Sequence, residues 1–215
     1  MSRFVVLNPN TTAAMTNAVV ARMAPLLPGA ELCGLTAPNG PSVIDSRESF
    51  AVGAVSAIDL LADLPAGTDA VLLACFGDPG LAEMRARSAV PVVGLAEAAI
   101  LEAVSGKRRF AIVTAGAAWV PMLRECVAAH GAAQSLVDVY ALDGNGADLR
   151  RDPAGFGAAI SAFAARAVEE GARSLILGGA AFAGLGFVLP AGLCTIDIFE
   201  AAARRLVRVC AGPLE

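Results

Sequence analysis

Histidine is almost missing from this chain: His130 stands alone among 215 residues. That scarcity removes cysteine–histidine dyads and histidine-rich metal sites unless distant partners converge. Cysteine occurs five times, at Cys33, Cys75, Cys126, Cys194 and Cys210, but never as a CxxC pair. No metal or disulfide framework follows from that spacing, and no metal is expected. Charge is sparse as well. Charged residues make up 17% of the chain, the net charge is −4, and Lys107-Arg108-Arg109 is the one basic run, which excludes a nucleic-acid surface. No GxGxxG follows the first apolar run and no GxxxxGK[ST] occurs, so the common phosphate loops are excluded. The first residues lack the basic region, apolar core and cleavage site of a secretory signal, and a reducing cytoplasm is the expected setting. The uncharged stretch 174–196 is long enough to span a bilayer. It is broken by Gly178, Gly179, Gly184, Gly186, Pro190 and Gly192, and buried parallel strands also read as continuous apolar runs, so no membrane span is expected.

What the chain does have is apolar bulk, 56% of its residues, with 22 glycines and few aromatics. Short apolar runs fall at 4–7, 31–35, 70–74, 90–95, 110–114, 137–142, 174–177 and 195–198. Alanine-rich segments of helical length lie between most of them, at 12–27, 46–64, 81–88, 96–105, 119–130, 153–170 and 199–209. Alternating strands and helices imply parallel βαβ units.

The spacing of the runs repeats. Phe4 to Phe110 and Glu31 to Val137 are steps of 106; Ala70 to Ser174 and Val90 to Cys194 are steps of 104. Four strands recurring in one order predict a duplicated α/β unit. The expected fold is therefore two pseudo-symmetric halves, each a four-stranded parallel sheet flanked by helices, with an active-site cleft between them. Residues 1–97, with a C-terminal helix 199–215, would form the first half and 98–198 the second. The high apolar content also predicts a homo-oligomer.

Cys75 is the leading chemical candidate. It closes the run Ala70-Val71-Leu72-Leu73-Ala74 and opens Phe76-Gly77-Asp78-Pro79-Gly80, at the carboxyl end of a buried strand, where open α/β sheets place ligands. Helix N-terminal amides just beyond would favour a thiolate there. Asp78-Pro79-Gly80 reads as an N-cap with proline at the first helical position, a structural role. In Asn8-Pro9-Asn10-Thr11-Thr12, amides and hydroxyls precede a helix; they suit a carboxylate or carbonyl, or plain capping by Asn10 or Thr11. Thr114 ends the matching strand of the second half. The turn-rich loop 38–46, which contains Ser42, is either a cover or a solvated loop. Glycine-rich Gly178-Gly179-Ala180 either lines the cleft or allows close packing. Cys33, Cys126 and Cys210 lie inside elements, where cysteine is commonly a small buried apolar residue, Cys194 opens a run rather than ending it, and His130 sits at a helix end.

These segments together resemble the aspartate/glutamate/hydantoin racemase superfamily, and within it the hydantoin racemase-like group. The matching elements run in order: Leu7-Asn8-Pro9-Asn10-Thr11-Thr12, Gly40-Pro41-Ser42, Cys75-Phe76-Gly77-Asp78-Pro79-Gly80-Leu81, Pro91-Val92-Val93-Gly94-Leu95-Ala96-Glu97-Ala98-Ala99, Phe110-Ala111-Ile112-Val113-Thr114, then Leu177-Gly178 and Ala183-Gly184-Leu185. The resemblance implies a cofactor-independent racemase or isomerase acting at a carbon next to the carbonyl of a small carbonyl or carboxylate substrate. It places Cys75 as a catalytic acid/base and puts Asn10, Thr11, Ser42, Phe76, Thr114, Gly178 and Ala180 around the substrate. The family's second catalytic cysteine falls in an LGC motif, where this chain reads Leu177-Gly178-Gly179, so Gly179 marks the missing partner. Arylmalonate decarboxylase, in the same superfamily, also keeps one cysteine, though on the opposite side. A decarboxylase using Cys75 as stereospecific proton donor is thus the alternative, and a non-catalytic small-molecule binder a third.

Overall fold

The computed structural model describes residues 1–211. The chain forms two compact units, Met1–Ala98 with the C-terminal segment from Phe199, and Ala99–Ile198. In the first unit, β1 (Arg3–Asn8), β2 (Glu31–Thr36), β3 (Ala70–Leu73) and β4 (Val92–Gly94) form a parallel sheet in the order β2-β1-β3-β4. Helices α1 (Ala13–Met23), α2 (Arg47–Asp59) and α3 (Leu81–Arg87) make the crossovers, and α4 (Leu95–Ala103) follows β4. The second unit holds β5 (Phe110–Ala115), α5 (Trp119–Ala129), β6 (Leu136–Leu142), α6 (Gly146–Arg151), α7 (Pro153–Glu169), β7 (Ser174–Gly178) and β8 (Cys194–Ile196), its sheet ordered β6-β5-β7-β8. Helix α8 (Ile198–Cys210) follows, burying Phe199, Ala202 and Leu206 while Glu200, Arg204 and Arg208 stay exposed. No described helix is long and apolar enough to cross a membrane.

The two sheets share one topology, and their central strands share one register. Phe4 pairs with Ala70 in the first, and Phe110 with Ser174 in the second. The expected steps of 106 and 104 hold there. At the second strands they drift: Phe4 pairs with Leu32 but Phe110 with Leu136, and a bulge between Phe110 and Ile112 then admits one extra residue in β6. The central strands are buried on both faces, which is why they read as unbroken apolar runs. In the first unit Val5, Leu7, Val71 and Leu73 face Ala57, Leu60, Leu81 and Met84; in the second Val113, Leu142, Leu149, Ile160 and Ala164 pack together. Each such fully buried Leu or Ile contributes ~1.5–3 kcal/mol.

Helix α6 was not expected from hydrophobic periodicity, because six residues give too little of it. Its signal is local: Asn145 accepts from the amides of Ala147 and Asp148, and Asp148 reaches back to the Asn145 amide, a capping box.

The larger correction concerns Asp78. Gly80, not Asp78, is the N-cap of α3, and it has no side-chain cap. The buried Asp78 carboxylate instead turns to α4, accepting from the amides of Ala96 at 3.0 Å and Glu97 at 2.6 Å. Asp78 adopts a left-handed φ of 56° to do so. Gly94 leaves the necessary space, since a Cβ there would collide with the Asp78 carboxylate. Glu97 continues the tie: its Oε2 accepts from Arg85 at 2.6 Å and from the Gly94 amide at 3.4 Å, while Arg85 also donates to the Val92 carbonyl. The turn after β3 is thereby fastened to the β4–α4 junction.

Burial outweighs the two amide bonds and lifts Asp78 from its ordinary 3.8 to about 7. The folded state then binds this proton more tightly than the unfolded chain, so the group's contribution to stability falls as pH rises between about 4 and about 7. Denaturation of wild type and Asp78→Asn across that window should show wild type losing stability relative to the variant as pH rises. At the acid end of that window the variant should be weaker by ~1–3 kcal/mol, because an amide meets one α4 N–H with its own donor, and the gap should close as pH rises. A difference that does not change with pH would contradict the raised value.

Candidate active site

At the carboxyl edge of the first sheet, β1 and β3 leave side by side. Leu7 pairs with Leu73, and the Ala74 amide donates to the Leu7 carbonyl at 2.8 Å. This register puts Asn8-Pro9-Asn10 and Ala74-Cys75-Phe76 on neighbouring strand ends. Asn8 and Asn10 are both buried. Asn8 Nδ2 donates to Asn10 Oδ1 at 2.9 Å and to Thr16 Oγ1 at 3.0 Å, and Asn8 Oδ1 accepts from the Asn10 amide. Thr16 Oγ1 lies 2.6 Å from Thr36 Oγ1 on β2. The turn is thus held from beneath by a polar chain reaching from β1 through α1 to β2.

Neither Asn10 nor Thr11 caps α1, as one reading had it; the N-cap is Thr12, with no side-chain cap bond. Asn10 Oδ1 accepts from the Thr12 amide, an Asx turn, so its oxygen is committed. Among the described residues its Nδ2 meets only the Met15 sulfur, at 3.6 Å, which leaves donor capacity in a buried side chain. The loop after β2 is pinned to the same turn. Pro41 O accepts from the Thr11 amide at 3.0 Å, and Ser42 O from the Thr12 hydroxyl at 2.8 Å. Five of the expected residues, Asn10, Thr11, Ser42, Cys75 and Phe76, therefore share one edge of one sheet.

Cys75 itself departs from expectation. Helix α3 begins only at Leu81, so no helix N-terminus directly follows the thiol. The turn between closes on itself, with the Asp78 amide donating to the Cys75 carbonyl at 3.0 Å. Burial is the main cause that pushes the Cys75 thiol up, and the Asp78 charge adds to it. Cys75 is a proton-bearing thiol rather than a stabilised thiolate. Of the other thiols, Cys126 is buried, Cys33 is half-buried and Cys194 is exposed. Cys210 is exposed too, contrary to the buried role expected of it, with its sulfur 3.8 Å from the Asp69 carbonyl. His130 is the C-cap residue of α5.

In the second sheet, the same edge carries Thr114, Gly178, Gly179 and Ala180. Thr114 pairs with Gly178, and its buried hydroxyl donates to the Gly178 carbonyl at 3.3 Å. By register, Thr114 corresponds to Asn8 and Gly179 to Cys75. Gly179 takes φ 140° and ψ 149°, a conformation essentially confined to glycine. A short 3₁₀ turn, Ala180–Phe182, follows, with the Phe182 amide donating to the Gly179 carbonyl. There is room for a side chain, because a Cβ at Gly179 would lie 3.9 Å from the Phe182 ring. The backbone, rather than space, is what excludes one.

Comparison with known proteins gives the family and the fold. Residues 5–206 match the model of the family described as Asp/Glu/Hydantoin racemase. The chain is 32% identical over 184 residues to a hydantoin racemase of Rhizobium meliloti, covering 83% of this chain and 76% of that one. It is 31% identical over 208 residues to a hydantoin racemase of Paenarthrobacter aurescens, covering 94% and 88%. The crystal structure of allantoin racemase from Pseudomonas fluorescens superposes with a TM-score of 0.86 at 28% identity, covering 96% of this chain and 91% of that one.

Gly179→Ala tests the backbone claim directly. Forcing a β-carbon into this conformation should lower unfolding free energy by ~1–3 kcal/mol in chemical denaturation. An unchanged midpoint would mean that the turn is free to adopt an ordinary conformation.

Proposed function

The chain belongs to the Asp/Glu/hydantoin racemase family, and we propose that it is a cofactor-independent enzyme of the isomerase class that moves the proton on a carbon next to a carbonyl, with Cys75 as the acid/base. The observation that carries this reading is the placement of a half-buried thiol on a fixed turn beside the Asn8–Thr12 turn, with an amide donor to spare on Asn10. The expected site residues at both sheet edges carry no lysine, arginine or histidine. That neutrality favours an uncharged cyclic amide over a free carboxylate, and the relatives' names, hydantoin and allantoin racemase, fall in the same chemical class.

In this reading the Cys75 thiolate removes the α-proton, negative charge passes to the carbonyl oxygen as an enolate, and the thiol returns a proton. Donors at Asn10, Thr11 and Ser42 would stabilise the enolate oxygen, acting where charge develops. Burial of Cys75 works both ways. It lowers the thiolate population, and it makes the thiolate that does form a stronger base, better matched to a weakly acidic carbon.

Decarboxylation of a disubstituted malonate is the second reading. It is favoured by the same proton-bearing thiol, which could deliver its proton to the carbanion left by departing carbon dioxide. The lack of cations among the expected site residues weighs against it, since a malonate brings two carboxylates.

The deciding measurement follows the α-proton of each enantiomer of 5-benzylhydantoin and of allantoin by NMR in deuterated water. Wild type should catalyse its exchange, and Cys75→Ser should lose ~10²–10⁴-fold of that rate, the usual contribution of one acid/base group. Undiminished exchange in the variant would overturn the assignment of Cys75. Carbon dioxide released from an arylmalonate, without hydantoin exchange, would favour the second reading. Binding with neither reaction would make the protein a binder.

A further inference from the structure

We infer that this protein exchanges the α-hydrogen of one enantiomer with solvent while returning the new proton to the face that the old one left, so that exchange runs far ahead of inversion. The inference rests on the proposed role of Cys75 and deepens it.

Inversion at carbon requires a proton to leave by one face and another to arrive at the opposite face. It needs either two carriers or one that changes sides. Cys75 is poorly suited to change sides. It follows a fully buried strand, its carbonyl is bonded by the Asp78 amide, and Asp78 is tied to the amides of Ala96 and Glu97. The position that corresponds to it in the second sheet is Gly179, and the residues that follow, Ala180, Ala181 and Phe182, hold no group able to carry a proton. The Thr114 hydroxyl beside them is spent on the Gly178 carbonyl. Two carboxylates do lie on that edge, Asp143 after β6 and Asp197 after β8, but neither follows β7.

The balance of the step is closed. The Cys75 thiolate takes the α-hydrogen, forming an S–H bond as the C–H bond breaks and leaving an enolate. The thiol hydrogen exchanges with water, and the S–D bond then breaks as carbon gains deuterium on the same face. No oxidant, reductant or further reactant enters.

The test incubates each pure enantiomer of 5-benzylhydantoin with the full chain in deuterated water, near neutral pH. Deuterium is read by NMR and configuration by chiral chromatography, with enzyme-free and Cys75→Ser controls subtracted. Deuterium should enter one enantiomer ~100-fold or more faster than the other enantiomer appears, the deficit expected for one missing acid/base group. Inversion matching exchange would overturn the inference and leave the assignment of Cys75 standing. In that event, inversion lost in Asp197→Asn with exchange kept would name the carboxylate as the second carrier. Absence of Cys75-dependent exchange would overturn both.

Discussion

The candidate site depends on one interaction: the buried carboxylate of Asp78 held against the first amides of α4. A carboxylate at a helix N-terminus satisfies donors that have no intrahelical partner, and it meets the positive end of the helix dipole. Here it does so across a turn rather than within its own helix. The geometry demands a left-handed backbone at Asp78 and no side chain at Gly94. In return, the segment between β3 and α3 is anchored at both ends, and the thiol at its start has a fixed position. The same arrangement costs electrostatic stability. Asp78 is pushed up to about 7 by its burial, and its charge helps to push the neighbouring thiol up. Positional precision at Cys75 and easy ionisation of Cys75 therefore oppose each other, and the fold favours position.

Much of the architecture was legible in the residues because the information is local and repeated. Buried parallel strands announce themselves as apolar runs, and two runs at fixed spacing from two others reveal a duplicated sheet. The central strands kept that spacing to the residue. The second strands did not: β6 pairs two residues short of the expected step at Phe110, and the bulge before Ile112 recovers only one of them, neither of which changes the apolar character of the run. Asp78 was misread for a related reason. Asp-Pro-Gly before a helix is a strong capping pattern, and nothing in the local residues tells an aspartate that caps the next helix from one that reaches the helix after it. The clue lay elsewhere, in a glycine at the end of β4 where β-branched residues would otherwise be favoured. Cys210 shows the limit of arguing from residue type: cysteine is commonly buried inside helices, but its place on the face of α8 decides its exposure.

The candidate site was legible as a set of residues, and less so as a set of roles. Asn10 and Thr11 stand at the strand end where the sequence puts them, yet neither is a cap. Asn8, the residue that binds the turn together, was visible only as part of a motif. Its importance comes from partners at Asn10 and Thr16, eight residues apart at most and brought together by the strand-to-helix turn. A buried polar side chain with several partners cannot be recognised until those partners are in place.

The two sheets differ far less than the turns that leave them. Strand order and central register are the same, Asn8 corresponds to Thr114, and Cys75 to Gly179. After β3 the chain uses a polar tie, with Asp78 reaching a neighbouring helix. After β7 it uses a glycine-only backbone and an apolar 3₁₀ turn closed on Phe182. The chemical asymmetry of this protein therefore lies in a few residues on an otherwise duplicated frame. That has a physical consequence for how such an asymmetry can be reversed. Replacing a side chain on an ordinary backbone alters chemistry alone, whereas at Gly179 any side chain must first move the backbone out of a conformation that the turn has adopted.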